Sequence, residues 1–406
     1  MRQLVPRPWV LQQAPLRAVL GLTLLAGLVT GLVVPFLALV ARERGASYGT
    51  VGLMASAFML AQLVFQLPAG ALADRFGRVR PVLAGLLIEG AATAAFVWAD
   101  STWLFILLRL IQGIGLSLIY PAVRALIADL TPLERRGEAF AAFWGMLNVG
   151  WLLGPAMGGL LAAAIGKVPL LLFSGLGEMV LVVPAWFLFR RVRLALVVPP
   201  VEAGRRSFRK LMGPALAAAM LLAFGFEVPV GIFSGIWSIY LDEIGANELE
   251  LGLSYTAFSL TNLMTLPIGG RLANRQPRWR RVAFLSVILG GIVVGYGIPS
   301  VPLLLTLGAM EGAIAGLLTP SVDAYLSAIA GPEYQGRIQG AYTTAGIAGA
   351  AVSALGSSVL YAQGHWVPFT VAGAVLIGMT VPAALVMRTT ERSQAPGVMP
   401  EPLATR

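Results

Sequence analysis

Twelve long apolar stretches, separated by short polar breaks, run along the chain. They cover 18–41, 50–72, 82–99, 103–128, 138–163 and 169–189, then 214–241, 250–272, 282–299, 302–329, 338–361 and 366–387. Each is close to the ~20 residues that an α-helix needs to cross a bilayer. They lack the two-residue alternation of barrel strands, so the pattern predicts helices throughout. The expected fold class is an all-α membrane protein with twelve transmembrane helices. Residues 191–213, with Pro199, Pro200 and many charges, read as a linker between an N-terminal half (1–190) and a C-terminal half (214–388). Residues 389–406, with Pro396, Pro400 and Pro402, read as a disordered tail.

Composition agrees with lipid as the surrounding solvent. Charged residues fill 12% of the 406 positions, against roughly 25% in a soluble domain. There is no cysteine, and His365 is the only histidine. That excludes disulfides, thiol nucleophiles and histidine clusters for metal. The net charge of +10 collects in alternate loops: Arg75, Arg78 and Arg80, then Arg135 and Arg136, then Arg190 to Lys210, then Arg275 to Arg281. The other loops are short and neutral or acidic, as at Asp242, Glu243, Glu248 and Glu250. This alternation places both termini in the cytoplasm. It leaves membrane lipid rather than nucleic acid as the partner of the basic surface. The N-terminus, with Arg2 and Arg7, runs into a long first span and shows no cleavable signal. Arginine-rich, lysine-poor usage points to a bacterial source, hence a bacterial cytoplasmic membrane.

The two halves repeat one design. Gly70-Ala71-Leu72-Ala73-Asp74-Arg75 returns as Gly270-Arg271-Leu272-Ala273-Asn274-Arg275. Gly45-Ala46 returns as Gly245-Ala246, Ala57-Phe58 as Ala257-Phe258, and Gln62 as Asn262. Gly113 and Pro121 return as Gly312 and Pro320, with Glu134 as Glu333 and Gly137 as Gly336. A repeat of this kind places a binding site between the halves, near the bilayer midplane.

The segment Gly70 to Arg78, ending Asp74-Arg75-Phe76-Gly77-Arg78, resembles the loop after the second span of the major facilitator superfamily. The resemblance covers nearly the whole chain. It implies the major facilitator fold, two pseudo-symmetric six-helix halves, and secondary transport by alternating access. It implies a gating latch of Asp74, Arg75, Gly77 and Arg78 with Asp129, because carboxylates and guanidinium groups form charge-assisted hydrogen bonds. Asp74 would also face the positive end of a helix in the other half. Asn274 replaces the acid in the second copy, which weakens any matching latch there.

Two further motifs narrow the resemblance. Arg109-Leu110-Ile111-Gln112-Gly113 is similar to a motif of proton-coupled members. An arginine that far from a helix end should face the protein and have a partner, either a carboxylate or polar groups of its own half. Gly150, Gly154, Pro155, Gly158 and Gly159 resemble the antiporter motif of drug/proton exchangers. Small residues four apart let helices approach closely, and proline bends its helix.

The remaining charges in the spans are candidates for coupling. Glu227, flanked by Phe224, Phe226 and Pro229, and Glu311, at the repeat position of Gln112, are expected to carry the proton. A carboxyl group in apolar surroundings binds its proton more tightly than one in water. Asn148, Tyr240, Asn262 and Tyr342 are expected on the cavity wall, where polar tips orient a ligand. Glu89 and Glu178 fall on spans that lie peripherally in the family. Arg124 and Asp323 occupy equivalent positions and are expected either to pair across the halves when the cytoplasmic side closes or to pair each within its own half.

The function that the resemblance implies is proton-coupled efflux of small amphipathic or cationic compounds. Export of a sugar, metabolite, lipid or siderophore is the alternative, since fold alone does not choose cargo. A non-transporting sensor and an intramembrane enzyme rank lower; there is no Gly-x-Ser-x-Gly elbow. No cofactor beyond the coupling proton, no metal and no obligatory protein partner are expected, and the unit is expected to be a monomer.

Overall fold

The computed structural model describes residues 9–132, 135–192, 213–273 and 277–393. Among these the helices are α1 (Trp9–Gln12), α2 (Ala14–Val33), α3 (Leu37–Glu43), α4 (Tyr48–Phe76), α5 (Val79–Ala95), α6 (Thr102–Asp129), α7 (Arg136–Ile165) and α8 (Lys167–Val192) in the first half. The second half holds α9 (Pro214–Glu243), α10 (Glu248–Ala273), α11 (Arg278–Gly295), α12 (Val301–Gln363) and α13 (Val367–Ser393). No strand occurs among the described residues.

The twelve expected spans map onto these helices with three departures. The first span is split into α2 and α3 by a turn at 34–36, where Pro35 has no N–H to donate. The tenth and eleventh spans are joined, because α12 is one helix of 63 residues. Straight, it would extend ~95 Å, yet it begins and ends at the same place. A side chain on Gly297, just before α12, would meet the Cβ of Trp366, just after it, at 2.9 Å. The helix therefore doubles back within its length. Finally, α13 runs through Ser393 into the segment expected as a tail, with Thr389 Oγ1 donating to the Val386 carbonyl at 2.7 Å.

Ten helical segments among the described residues are long and apolar enough to cross a membrane. α10 and α11 complete the set. α10 is diluted by Ser254, Thr256, Thr261, Asn262 and Thr265, and α11 has only 18 residues with Arg278, Arg280 and Arg281 at its start. The chain is a multi-pass membrane protein. Its outer surface exposes Trp98, Trp103, Phe173, Val180 and Phe187, the apolar residues that face lipid.

The sequence repeat is also a repeat in space. At Gly45 and Gly245 the backbone has φ of 84° and 90°, a region that glycine enters freely. The same cap follows at both: Ala46 N–H donates to the Ala41 carbonyl at 3.0 Å, and Ala246 N–H to Leu241 at 2.9 Å. Gly113 and Gly312 each meet the carbonyl of the matching phenylalanine, Phe58 or Phe258, where a Cβ would lie 2.4 or 2.0 Å away. Between the halves, α4 packs on α12 and α7 packs on α10. The repeat exchanges these two seams.

The cores divide unevenly along the bundle. One end carries the turns near Gly45, Gly166 and Gly245 and is called here the acidic end; the other, near Arg78, Arg135 and Arg278, is the basic end. At the acidic end one cluster joins both halves, with Phe36, Leu37 and Val40 alongside Ile236, Trp237 and Tyr240. At the basic end there are two separate clusters. One contains Val79, Leu126 and Phe189; the other contains Leu216, Val282 and Met387.

Candidate functional site

The motif glycines of α7 bring backbones into contact. A side chain on Gly150 would lie 2.8 Å from the Gly27 carbonyl carbon, and one on Gly154 2.7 Å from the Leu28 oxygen of α2. Gly158 meets the Leu32 oxygen at 2.1 Å. Gly159 turns instead to the other half, meeting the Glu248 oxygen at 2.5 Å, while Gly252 of α10 reaches the Pro155 oxygen at 2.2 Å. The motif thus fixes α2 within its own half and forms the α7–α10 seam. Thr256 Oγ1 donates across that seam to the Leu152 carbonyl at 2.8 Å. Ser56 Oγ does the same across the α4–α12 seam, to Ala351 at 3.0 Å.

Further cross-half contacts close the acidic end. Tyr48 from the first half donates its hydroxyl to Glu243 of the second, and Tyr361 donates to the other Glu243 oxygen at 2.5 Å. Lys167 Nζ lies 2.6 Å from Glu43 Oε1 and 3.8 Å from Glu248 Oε1, so one ammonium serves both halves. The basic end differs. Arg78 Nε meets Asp129 Oδ2 at 3.1 Å within the first half. Arg124 and Asp323 are both exposed, and neither makes a hydrogen bond or ion pair with another described residue. Gly77 ends α4 with φ of 83°, and Arg75 is exposed over the Phe76 ring. The Asp74 side chain, Asn274 and Arg275 lie outside what is described, as do Glu134 and the side chains of 330–337.

Between these ends lie the expected coupling residues. Glu227 of α9 is half-buried against α12, where a side chain on Gly346 would lie 2.9 Å from its Cγ. It makes no hydrogen bond or ion pair with another described residue. Tyr342 of α12 is close enough to feel the charges of Glu227 and Asp323. Asn148 on α7 is half-buried. Asn262 Nδ2 donates to the Gly312 carbonyl at 3.3 Å, and Thr261 and Thr265 bond to Ala309 and Ala313 nearby.

Two expected residues sit differently from their sequence reading. Glu311 is held by Tyr296, whose hydroxyl donates to Oε2 at 2.5 Å. Tyr296 is itself buried among Phe233, Trp237 and Phe369. Tyr240 belongs to the same aromatic core, fully buried, and its hydroxyl has no partner. It packs at the acidic end against the rings of Trp237, Tyr361, His365 and Phe369. Tyr296 was the residue missed. The signal for it was the repeat: the first half has the apolar Phe96 at that position.

In the first half Arg109 stays within its own helices. Nη1 donates to Gln112 Oε1 at 3.0 Å, and Gln112 Nε2 donates to Thr93 at 2.7 Å. The guanidinium stacks on Phe58, 4.1 Å from the ring centre. Its nearby carboxylate is Glu89, which the sequence reading had placed at the periphery. Glu89 and Glu178 are instead 4% and 1% exposed. Packing of α5 between α6 and α8 turns both inward.

A family model described as Major Facilitator Superfamily matches the chain over residues 19–234 and 216–404. Among curated proteins, Multidrug resistance protein 1 of Bacillus subtilis (strain 168) is 25% identical, with 79% of this chain and 84% of that protein covered. Multidrug resistance protein 2 of the same organism is 24% identical, with 86% and 88% covered. Quinolone resistance protein NorA of Staphylococcus aureus (strain MSSA476) is 23% identical, with 56% and 58% covered. A solved structure of a bacterial homologue of the human lysosomal transporter Spinster, inward-facing and unoccupied, matches with a TM-score of 0.78. It is 13% identical, with 97% of this chain and all of that one covered, which is a likeness of fold. With its paired seams and its repeated helix contacts, the chain belongs to the Major Facilitator Superfamily.

Proposed function

We propose that the protein is a secondary active exporter that exchanges protons for small amphipathic or cationic compounds by alternating access. One observation supports the reading: the halves meet through the acidic-end cluster and along the α4–α12 and α7–α10 seams, whereas the basic end holds two separate clusters. The carboxyl group of Glu227 in α9 makes no hydrogen bond or ion pair with another described residue. The basic loops support a reading in which the basic end and both termini face the cytoplasm of a bacterial cell. The form described is then the one open to the cytoplasm, ready to take up cargo. Relatives named for multidrug and quinolone resistance support drug-like cargo.

In the proposed cycle, cargo entering from the cytoplasm meets Glu227 and Tyr342, and a cation there competes with the proton. Coupling requires that each ligand favour a different access state, because equal affinities shift nothing. Closure of the basic end would bring Arg124 and Asp323 together and complete the latch around Asp74. Glu311, held by Tyr296, would serve as a second carboxylate. The working unit is a monomer in lipid that acts as a carrier rather than a catalyst, with the proton as its only accessory. The test uses everted vesicles with an acid interior and a pH-sensitive dye. Addition of lipophilic cations should release the gradient only where the protein is present. No release by any compound, from vesicles containing folded protein, would count against drug export.

A further inference from the structure

We infer that Glu89 and Glu178 form a proton-binding site inside the first half, separate from the wall between the halves. Glu89 comes from α5 and Glu178 from α8, and the two helices touch there: a side chain on Gly90 would meet the Glu178 Cβ at 3.0 Å. Glu178 Oε1 accepts from the Thr30 hydroxyl of α2 at 2.8 Å, while Oε2 is buried with no partner. Glu89 makes no side-chain hydrogen bond to a described residue, yet it lines a cavity together with Thr30, Tyr120, Leu86 and Phe143. The volume of that cavity, about 30 Å³, takes one or two waters. It is far below what a drug-sized ligand requires. The ligand that fits is therefore a proton carried by water.

Charge counting gives the same answer. Glu89 is within reach of one other carboxylate, Glu178, and one cation, Arg109. From α6 the titratable groups are Arg109 and Tyr120, and from α8 Glu178; α2 presents Thr30 and α7 the Trp151 ring beside Tyr120. Two carboxylates and one guanidinium leave a surplus negative charge in a site cut off from bulk water. Such a charge is expensive to bury, and one bound proton cancels it. Glu178 Oε2 is the atom left to hold that proton, and Glu89 is the group through which cavity water exchanges it.

The site also touches the other half through one side chain. Arg109 stacks on Phe58, and Phe58 packs with Ile347 against the α4–α12 cluster of Ala55, Met59 and Ala350. Sliding of α12 past α4 would move the ring on which Arg109 rests. The position of the balancing cation, and hence the proton load, would then differ between access states.

Protonation can be read without transport, by infrared difference spectra of the purified full-length protein in lipid nanodiscs stepped from acid to alkaline pH. The Glu227→Gln/Glu311→Gln protein should keep a titrating protonated-carboxyl band. Adding Glu89→Gln/Glu178→Gln should remove about one carboxyl per molecule from it. Thr30→Val, which keeps both acids and removes one donated hydrogen bond, should shift the band. The inference is overturned if Glu89→Gln/Glu178→Gln and Thr30→Val proteins that unfold like the parent give the parent's spectrum. Should the double variant not fold, an unshifted band in folded Thr30→Val overturns it alone. These readouts stand whether or not the protein exports drugs.

Discussion

The Tyr48 hydroxyl at the start of α4 donates to Glu243 at the end of α9, and this bond ties one half of the protein to the other. Glu243 also receives Tyr361 of α12, so a single carboxylate gathers three helices. The site is partly exposed, which weakens it. A value of about 1 kcal/mol for the Tyr48 bond corresponds to roughly a five-fold change in population. Tyr48→Phe should therefore raise the fraction of molecules open at the acidic end. Spin labels on the exposed residues Asp100 and Gln363 would report it as a longer distance component. An unchanged distance distribution would remove Tyr48 from the closure.

The α2–α7 crossing has no room for a side chain at Gly158, where a Cβ would sit 2.1 Å from the Leu32 oxygen. Overpacking of this kind costs about 1–3 kcal/mol, and the atom in the way is backbone. Gly158→Ala should lower the Tm of the detergent-solubilised protein. Gly356→Ala, where nothing lies within 4 Å, should leave it unchanged or slightly raised. Equal behaviour of the two variants would contradict the packing.

Tyr296 and Glu311 should behave as a coupled pair. Tyr296→Phe leaves a largely buried carboxylate without its donor, at a cost of about 1–3 kcal/mol. Glu311→Gln in the same protein should recover part of that loss, because the uncompensated charge is gone. A double-mutant cycle on thermal unfolding checks this; strict additivity would show that the short contact contributes nothing to stability.

How much of this was legible in the chain follows from what sequence pattern encodes. Apolar length and loop charge locate spans, and the caps at Gly45 and Gly245 follow from glycine alone. The continuity of α12 between its two spans was not legible, since an apolar pattern does not say whether helical hydrogen bonding continues through a polar interval. The burial of Glu89 and Glu178 was not legible either. Whether an acid on a peripheral span faces lipid or protein depends on helix rotation, which α5 takes from its neighbours α6 and α8. Tyr240 and Glu227 lie on the same helix, one inside an aromatic core and the other half-buried against α12. Spacing along α9 cannot separate those two environments without knowing where α12 and α13 pack.

Exchange of protons for cargo through Glu227 is the central claim, and purified protein in liposomes of known orientation tests it most directly. With a pH gradient imposed across the membrane, a fluorescent lipophilic cation should accumulate against its own gradient on the acidic side, as protons leave that side. Glu227→Gln should abolish that accumulation while the protein still unfolds like the parent. Accumulation indifferent to the pH gradient, or undiminished in Glu227→Gln, would contradict the claim.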